Sequence, residues 1–520
     1  AYYNNGWVKT VTDDENRKTE YIYDSDGNII KEEVYTDASN KLTTEYVYNH
    51  LGKMQEMKHH IRAGDIFGNT YSDSSDTILT TTYTYDPDGN IKTIIAPDQI
   101  TTTYHYDNLG RLLKTSMPGR DEYGNDIIIE TTTEYDYEGK PVNVTDANGN
   151  MTAYEYNKRG FLTGVIDALN GVTSYGYDRA GRKIIEVSPE NYDPAKELNQ
   201  MNRAEYAYDI MDRLKVKLDI YLDTVTNQWV TVCPKAYKYD NRRNVIKELD
   251  ALGYEAGTGT TVDERIDTGY GTEYTYNCAD KAVTVIDPVS KQRALPYAVK
   301  YGYDAIGRKA SEINANGVIT LYTYDNAGNV LDIKVKKNQD APEQSITSAT
   351  YDLAGRQTSK TDGNGNTVTF RYNSLGNMSS AEYPGDETID SNTITYQYDT
   401  VGNLKKQEDS MGKVILYTYD NRGRNLSQTQ QKLDGTQSIT ISFGYDKNGN
   451  KRFETDGKGN VTEYAYDAMN RLIETKVSVS GTVQTTSYDY DANGNQTATT
   501  DWRGNIYTNV YDPLNRIIQK

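Results

Sequence analysis

The feature that most constrains this chain is a short motif that recurs along its whole length of 520 residues. In "YTYDNAGNVL", residues 322 to 331, two tyrosines two positions apart are followed by Asp, two variable residues and Gly. Twenty units share this pattern, and eight of the nineteen gaps between consecutive units equal 21 residues. Such a chain grows as one continuous array, because each unit packs mainly against its neighbours.

Each unit is indexed here by its repeat tyrosine, the Tyr that directly precedes Asp or Asn. Asp follows it in sixteen units and Asn in four, and Gly stands three residues further on in most units. Arg or Asn usually comes next. The repeat tyrosines are at positions 23, 48, 85, 106, 135, 156, 177, 208, 239, 276, 303, 324, 351, 372, 398, 419, 445, 466, 490 and 511.

The Asp-x-x-Gly spacing predicts a tight hairpin turn. The side chain of Asp or Asn can accept hydrogen bonds from backbone N–H groups two residues on, and Gly adopts a positive φ without steric strain. A type I turn followed by such a residue makes a bulged hairpin loop. Five units lack the Gly. Four of them carry Asp or Asn at that position, the residue types that tolerate a positive φ best after Gly, and one carries Arg. The replacements are Asp212, Arg243, Asp280, Asn470 and Asn515.

Strands are predicted on both sides of this turn. An aromatic residue precedes the repeat tyrosine by two positions in seventeen units, so both rings lie on one face of a strand. A second turn with the same spacing recurs between units, as in "TDANGN" at 145. The sequence therefore predicts an all-β fold, in which tandem hairpins form one long antiparallel sheet.

The whole chain, 1–520, is predicted to be a single repeat array with four insertions. The insertions lie near residues 55–82, 186–205, 217–236 and 250–273, and repeats resume in phase after each. We expect extended loops there, with a short helix in "PAKELNQM" at 194. The first residues, "AYYNNGW", resemble the end of another unit, so the natural polypeptide is expected to be longer.

Composition argues against several classes of partner and site. The formal net charge is −19, and no long basic run is available for a phosphate backbone, so neither nucleic acid nor an anionic membrane surface is expected as a partner. Two cysteines are too few for a disulfide framework. The sequence contains no run of 18 apolar residues, so no membrane-spanning segment is predicted. Tyr dominates the aromatic residues, with 48 Tyr against 5 Phe and 3 Trp, which suits a half-buried sheet surface.

The motif resembles the YD repeats, also called RHS (rearrangement hot spot) repeats. "YHYDNLGRLL" at 104 matches that pattern at every position. The resemblance implies a sheet that spirals into a hollow barrel or shell, as in bacterial RHS toxin shells, wall-associated proteins, the C components of insecticidal toxin complexes and teneurins. Residues assigned to the repeat signature are Tyr106, Asp107, Gly110, Arg111, Tyr324, Asp325, Gly328, Tyr419, Asp420, Gly423 and Arg424.

Two functional hypotheses follow from the resemblance. The first is a non-enzymatic structural segment of a secreted or surface-exposed bacterial shell, which encapsulates or presents a C-terminal toxin or effector of the same polypeptide. The alternative is an adhesion array that binds carbohydrate or the cell wall. The Asp-Pro-x-Gly-Leu motif at which some relatives cleave themselves is missing, because residues 86–89 and 512–515 lack the final Leu.

No catalytic, cofactor-binding or metal-binding residue is predicted. His59 and His60 are adjacent and would point to opposite faces of a strand, which does not favour a shared metal. Stacked tyrosines could bind sugar faces, but cross-strand ladders within the sheet are the simpler interpretation. Trp502 occupies an exposed turn position in "TDWRGN" and is the best single candidate for a surface contact.

The number of units also predicts a shape. Twenty units of two strands make about forty strands, and at roughly 4.8 Å per strand the sheet is about 190 Å long. A twisted sheet cannot stay flat over that length. We expect about one circuit with a diameter of about 60 Å, open at its ends and filled with solvent.

Overall fold

The computed structural model describes residues 1–13, 15–62, 65–67, 77–385, 390–479 and 481–520. Forty strands form one sheet in which every strand pairs antiparallel with its neighbours in sequence. A separate two-stranded ribbon follows at the C-terminal end. The predicted all-β array of hairpins is therefore confirmed.

The first twenty-one strands are β1 Thr10–Thr12, β2 Lys18–Tyr23, β3 Ile29–Tyr35, β4 Lys41–Tyr48, β5 Met54–Ile61, β6 Thr77–Tyr85, β7 Ile91–Ile95, β8 Thr101–Tyr106, β9 Leu112–Arg120, β10 Asp126–Tyr135, β11 Pro141–Thr145, β12 Met151–Tyr156, β13 Leu162–Ile166, β14 Val172–Tyr177, β15 Lys183–Val187, β16 Arg203–Tyr208, β17 Leu214–Asp223, β18 Gln228–Tyr239, β19 Val245–Leu249, β20 Thr272–Tyr276 and β21 Ala282–Ile286. The remaining strands are β22 Val299–Tyr303, β23 Lys309–Asn314, β24 Ile319–Tyr324, β25 Val330–Lys336, β26 Gln344–Tyr351, β27 Gln357–Asp362, β28 Thr367–Tyr372, β29 Met378–Tyr383, β30 Asn392–Tyr398, β31 Leu404–Asp409, β32 Lys413–Tyr419, β33 Asn425–Lys432, β34 Ile439–Tyr445, β35 Lys451–Thr455, β36 Val461–Tyr466, β37 Leu472–Val479, β38 Thr482–Tyr490, β39 Gln496–Thr500, β40 Ile506–Thr508, β41 Val510–Tyr511 and β42 Ile517–Gln519.

The insertions differ from one another in structure. Segment 217–236, expected as a loop, instead lengthens β17 and β18 into a hairpin. Segment 250–273 contains two helices, and the helix expected at 194–201 is a single 3₁₀ turn. Part of the first insertion, 55–82, and part of the extension at 383–392 lie outside the described residues. The helices are α1 Ala251–Glu255, α2 Val262–Thr268 and α3 Pro288–Gln292, and the 3₁₀ turns are Pro189–Asn191 and Leu198–Gln200.

The helical insertion covers one face of the sheet and creates a local hydrophobic core. Val216, Ala236 and Leu249 are aligned across β17, β18 and β19, and all three are fully buried. Tyr254 of α1 and Ile266 of α2 pack onto them. This insertion core, completed by Cys233, holds the largest cluster of buried side chains among the described residues.

The sheet is a spiral whose successive turns touch. The nineteen repeat turns of this sheet follow the even-numbered strands and lie on one edge, and the link turns between units lie on the other. The link turn before β2 contacts the repeat turn after β24, and the one before β12 contacts the turn after β34. Both contacts span 23 strands, β2 through β24 and β12 through β34. We call this line of contacts the seam.

The expected single wide circuit is therefore wrong. Forty strands at 23 per turn make about 1.7 turns. Measured across the strands, a circuit of 23 strands is about 110 Å, compared with about 190 Å for all forty, so each circuit is narrower than expected. The twist and coiling of the sheet bring its edges together sooner than strand counting alone predicted.

The spiral forms a wall one sheet thick. The chain exposes 30098 Å² of surface, whereas a compact monomer of 58.6 kDa would expose about 19,000 Å². Every repeat tyrosine is half-buried, and most residues directly before one are exposed. The extra surface is therefore that of a wall wetted on both faces.

Candidate functional site

Each repeat turn is organised by its Asp, as the Asp107 turn shows. The Asp107 N–H and the Gly110 N–H make the two backbone bonds of the bulged turn, to Arg111 O and Asp107 O, both at 3.0 Å. Asp107 Oδ1 accepts from the N–H groups of Leu109 at 2.9 Å and Arg111 at 3.0 Å. Gly110 has φ +77°, and the strand register shifts at Tyr106. The turn therefore satisfies its own polar groups.

The Arg after the turn connects one unit to the next. Arg111 Nε donates to Asp107 Oδ2 over 2.6 Å, and Nη1 donates to the main-chain oxygen of Asp136 over 2.7 Å. The guanidinium lies 4.9 Å from the ring centroid of Tyr135, within cation–π range. We call this set, the turn Asp, the Arg and the next repeat tyrosine, a clasp. The same Nη1 bond is made by Arg182, Arg213, Arg308, Arg424 and Arg471.

The repeat tyrosine completes the connection through its hydroxyl. Tyr324 OH donates to Lys309 O over 2.7 Å, and Lys309 directly follows the clasp Arg of the preceding unit. Tyr419 OH donates to Leu404 O in the same way over 2.8 Å. Eighteen of the twenty repeat tyrosines make this bond, at 2.6–3.1 Å. Their hydroxyls are thus used within the wall.

The other two assigned units follow the same plan with one variation. Gly328 has φ +95° and Gly423 has φ +74°. Arg424 Nε donates to Asp420 Oδ2 over 2.6 Å, whereas Asp325 Oδ2 accepts from the amide of Asn329 over 2.8 Å.

Arg and Asn after the turn are therefore alternative partners of one carboxylate. All eight clasp arginines accompany Asp, and none accompanies Asn, because Nε needs an acceptor on the turn side chain. Arg243 at the Gly position of one unit adopts φ 78°, so the turn persists there despite the strain of a bulky residue in that region.

The turn contacts change the acidity of the carboxyls. The N–H of Arg111, followed by its guanidinium, holds the pKa of Asp107 below its usual value. The guanidinium of Arg308, followed by its N–H, does the same for the pKa of Asp304. For Asp325, burial opposes ionisation, but hydrogen bonds from Asn329 and the charge of Arg17 still lower the pKa. These groups stay ionised at neutral pH and act as acceptors.

A second aromatic row lies two residues before the repeat tyrosines and is interleaved with charge. Tyr206 OH donates to Glu186 over 2.9 Å, and Lys183 lies 4.6 Å from the Tyr206 ring centroid. Burial, and then Glu32, raises the pKa of Tyr46 to about 12. These rings are engaged with neighbouring side chains of the wall, as in the ladder interpretation.

The seam is held by polar contacts between residues about 300 positions apart. Arg17 forms an ion pair with Asp325, whose side chain is 7% exposed. Further along the seam, two turns form reciprocal hydrogen bonds, in which the Asn amide of each turn donates to the Asp carboxylate of the other. Asn148 Nδ2 donates to Asp446 Oδ2 over 2.9 Å, and Asn448 Nδ2 donates to Asp146 Oδ2 over 2.6 Å. Repeat-turn carboxylates thus serve both the clasps and the seam.

The structure also places the remaining candidates. Trp502 lies in the link turn between β39 and β40, is 51% exposed, and has the Arg503 guanidinium 4.7 Å from its ring centroid. His59 Nδ1 contacts Thr44, and His60 Nε2 lies 3.3 Å from Glu45. Among the described residues, no three His, Cys, Asp or Glu side chains are grouped to hold a metal. In that part of the chain no helix is long and apolar enough to cross a membrane.

Sequence reasoning missed the seam and the insertion core. Arg17 and Asn148 look like ordinary link-turn residues, and nothing local marks their partners 300 residues away. The core carried a signal that could have been used, since Val262 and Ile266 are spaced for one face of a helix.

Comparisons with known proteins agree with this architecture. The family model "Teneurin YD-shell" matches residues 1–195 and 418–520, and "RHS Repeat" matches residues 351–388. The comparison with curated protein sequences found no match.

Solved structures show the same fold at low sequence identity. TcdB2-TccC3 is 17% identical with a TM-score of 0.75, and covers 98% of this chain and 29% of its own. TcdB2-TccC3 without its hypervariable C-terminal region has a TM-score of 0.74 at 17% identity, and the match covers 98% of this chain and 31% of that one. The Photorhabdus luminescens Tc holotoxin pore has a TM-score of 0.66 at 16% identity, and the match covers 98% of this chain and 30% of that one. This chain thus spans under a third of each of those chains. Because the first family model matches more than half of the sequence, the chain belongs to the teneurin YD-shell family.

Proposed function

We propose that this chain is a non-enzymatic wall segment of a hollow protein shell. The observation that carries the proposal is the seam, where contacts recur every 23 strands and hold one turn of the spiral on the next. A wall one sheet thick encloses volume with few residues, and its polar groups are used for clasps rather than for chemistry.

The enclosed or presented partner is a C-terminal toxin or effector of the same polypeptide, in a bacterial protein that is secreted or displayed at the cell surface. Support comes from the solved structures with this fold, of which one is a Tc holotoxin pore and another was solved without its hypervariable C-terminal region. The adhesion alternative gains no support from the Tyr rows, because repeat-tyrosine hydroxyls are bound to main-chain oxygens and several rings are covered by Arg. Trp502 remains our proposed surface contact.

Small-angle scattering of the 520-residue chain tests the shell. We expect the pair-distance distribution of a hollow body, which differs in shape from that of a solid globule of the same length. The pair-distance distribution of a solid globule would overturn the proposal.

Protease protection tests the enclosed partner separately. In the natural polypeptide, sequence outside the repeat array should resist protease while the wall is intact, and should be digested after Arg17→Glu and Asn448→Asp weaken the seam. Equal digestion of wild type and variant would exclude enclosure and leave the shell itself standing.

A further inference from the structure

A polar cavity of about 270 Å³ lies on the seam between the first and second turns of the spiral. The first turn of the spiral contributes Asp37 and Arg62, and the second turn of the spiral contributes Arg356, Arg371 and Asn373. The cavity is far larger than the roughly 10–15 Å³ that one ordered water requires. Three of these five side chains are guanidinium groups in a chain of net charge −19.

Two hydrogen-bond donors on residues that line this cavity have no partner among the described residues. They are Arg356 Nη1 and Asn373 Nδ2, and both atoms are buried. Asn373 itself is 5% exposed. An unpaired buried donor is destabilising unless something accepts from it, and buried polar groups in native proteins are nearly always paired.

The two unpaired donors mark a local departure from the clasp. Arg356 still binds Asp352 through Nε at 2.7 Å and lies 4.6 Å from the Tyr372 ring centroid. Its Nη1, however, does not bind the main chain of the following unit, as Nη1 of six of the other clasp arginines does. That unit carries Asn373 where most units have Asp, so a carboxylate oxygen is replaced by an amide donor.

The charges around the cavity also favour an anion. Asp352 is already paired with Arg356, and Asp37 accepts from Asn40 Nδ2 over 2.7 Å. Arg62 donates to Asn40 Oδ1 over 2.7 Å and has no carboxylate partner among the described residues. Within the same part of the chain Arg371 forms no ion pair. The lining thus holds three guanidinium groups against the two carboxylates of Asp37 and Asp352. The carboxylate of Asp65, which accepts from the N–H of Ser374, lies beside it.

We propose that this seam cavity binds a small oxoanion, a phosphate, sulfate or carboxylate group, held by Arg62, Arg356 and Asn373. Such a group supplies several acceptor oxygens at once, and planar guanidinium donors fit it well. Because its ligands come from both turns of the spiral, the bound anion ties one turn to the next.

Binding is tested by calorimetric titration of the 520-residue chain with inorganic phosphate at pH 7, in chloride buffer of constant ionic strength. We expect saturable binding of one phosphate per chain and a higher melting temperature than in chloride alone. The same titration with sulfate and with acetate then ranks the three anions by affinity. Absence of saturable binding by all three would show that water fills the cavity and would overturn the proposal.

Asn373→Asp sharpens the test because it restores the missing carboxylate in place of the ligand. We expect it to weaken phosphate binding at least about tenfold and to raise the melting temperature in chloride. Asn277→Asp, at the same repeat position outside the cavity, should bind phosphate like wild type. Arg62→Gln should also weaken binding without altering the fold. Equal binding by Asn373→Asp and wild type, or an equal loss in Asn277→Asp, would overturn the assignment.

Discussion

The regular wall and the insertion core stabilise one sheet in different ways. In the wall between β22 and β25, Ile319 is the only buried apolar side chain, and the two units there are held by turns, tyrosine hydroxyls and one Arg clasp between them. Around β17–β19 and the two helices, six buried side chains form a single cluster. The wall spreads its stability over many polar contacts, whereas the insertion concentrates it in apolar packing.

The difference follows from the number of layers. A single sheet has no second layer against which to bury a face, so its rings can be only half-covered. Where α1 and α2 supply a second layer, Val216, Ala236 and Leu249 become fully buried. We therefore expect damage to the wall to be local and modest for each unit, and damage to the core to be larger.

The largest effect is expected from Leu249→Ala in the insertion core. Leu249 is fully buried against α1 and α2, so truncation leaves a cavity and should lower the local free energy of unfolding by about 3 kcal/mol. Denaturant unfolding and limited proteolysis within 250–273 measure it. Leu252→Ala on α1, where the side chain is 66% exposed, is the control and should change stability by under about 0.5 kcal/mol. Similar cleavage rates for the two variants would contradict a local core.

The next effect is expected from Gly328→Val in a repeat turn of the wall. Gly328 has φ +95°, and no atom lies within 4 Å of an added Cβ, so the substitution tests backbone strain alone. A loss of about 1–3 kcal/mol is expected, because β-branched residues are strained at positive φ. Ala327→Val, one residue earlier on the same exposed turn, is the matched control. Equal melting temperatures for the two variants would refute the turn assignment.

A smaller effect is expected from Arg111→Ala, which removes one clasp. It eliminates the bonds to Asp107 and to Asp136 O and the contact with Tyr135, for a loss of about 1–2 kcal/mol. Arg120→Ala removes only the exposed ion pair with Asp126 and should cost at most about 0.5 kcal/mol. Thermal unfolding compares them, and an Arg111→Lys variant that keeps full stability would show that charge alone matters.

Sequence reasoning succeeded where a structure depends on neighbouring residues and failed where it depends on distant ones. Asp107, Gly110 and Arg111 are within five positions, so their spacing predicts a turn without knowledge of the rest of the chain. The pairing of Arg17 with Asp325 depends on the accumulated twist of 23 strands, which spacing does not specify. The orphaned donor of Asn373 likewise becomes visible only when the first turn of the spiral covers it.

The smallest effect per group, and the one that best separates wall from core, is expected from pH. The pKa values of many turn carboxyls, Asp107 and Asp304 among them, are lowered by hydrogen bonds made only in the folded wall. A lowered pKa in the folded state gives stability that is present above the unfolded value, about 3.9, and is lost as the pH falls through the folded value. The melting temperature should therefore be level near neutrality and fall below about pH 4.

The core side chains Val216, Leu249 and Ile266 carry no titratable group, so the loss of stability caused by Leu249→Ala should be the same at pH 7 and pH 4. The loss of stability caused by Arg111→Ala should instead shrink as Asp107 becomes protonated. Unfolding of both variants across this range measures the difference, and an Arg111→Ala effect that does not change with pH would show that the clasp does not depend on an ionised Asp107.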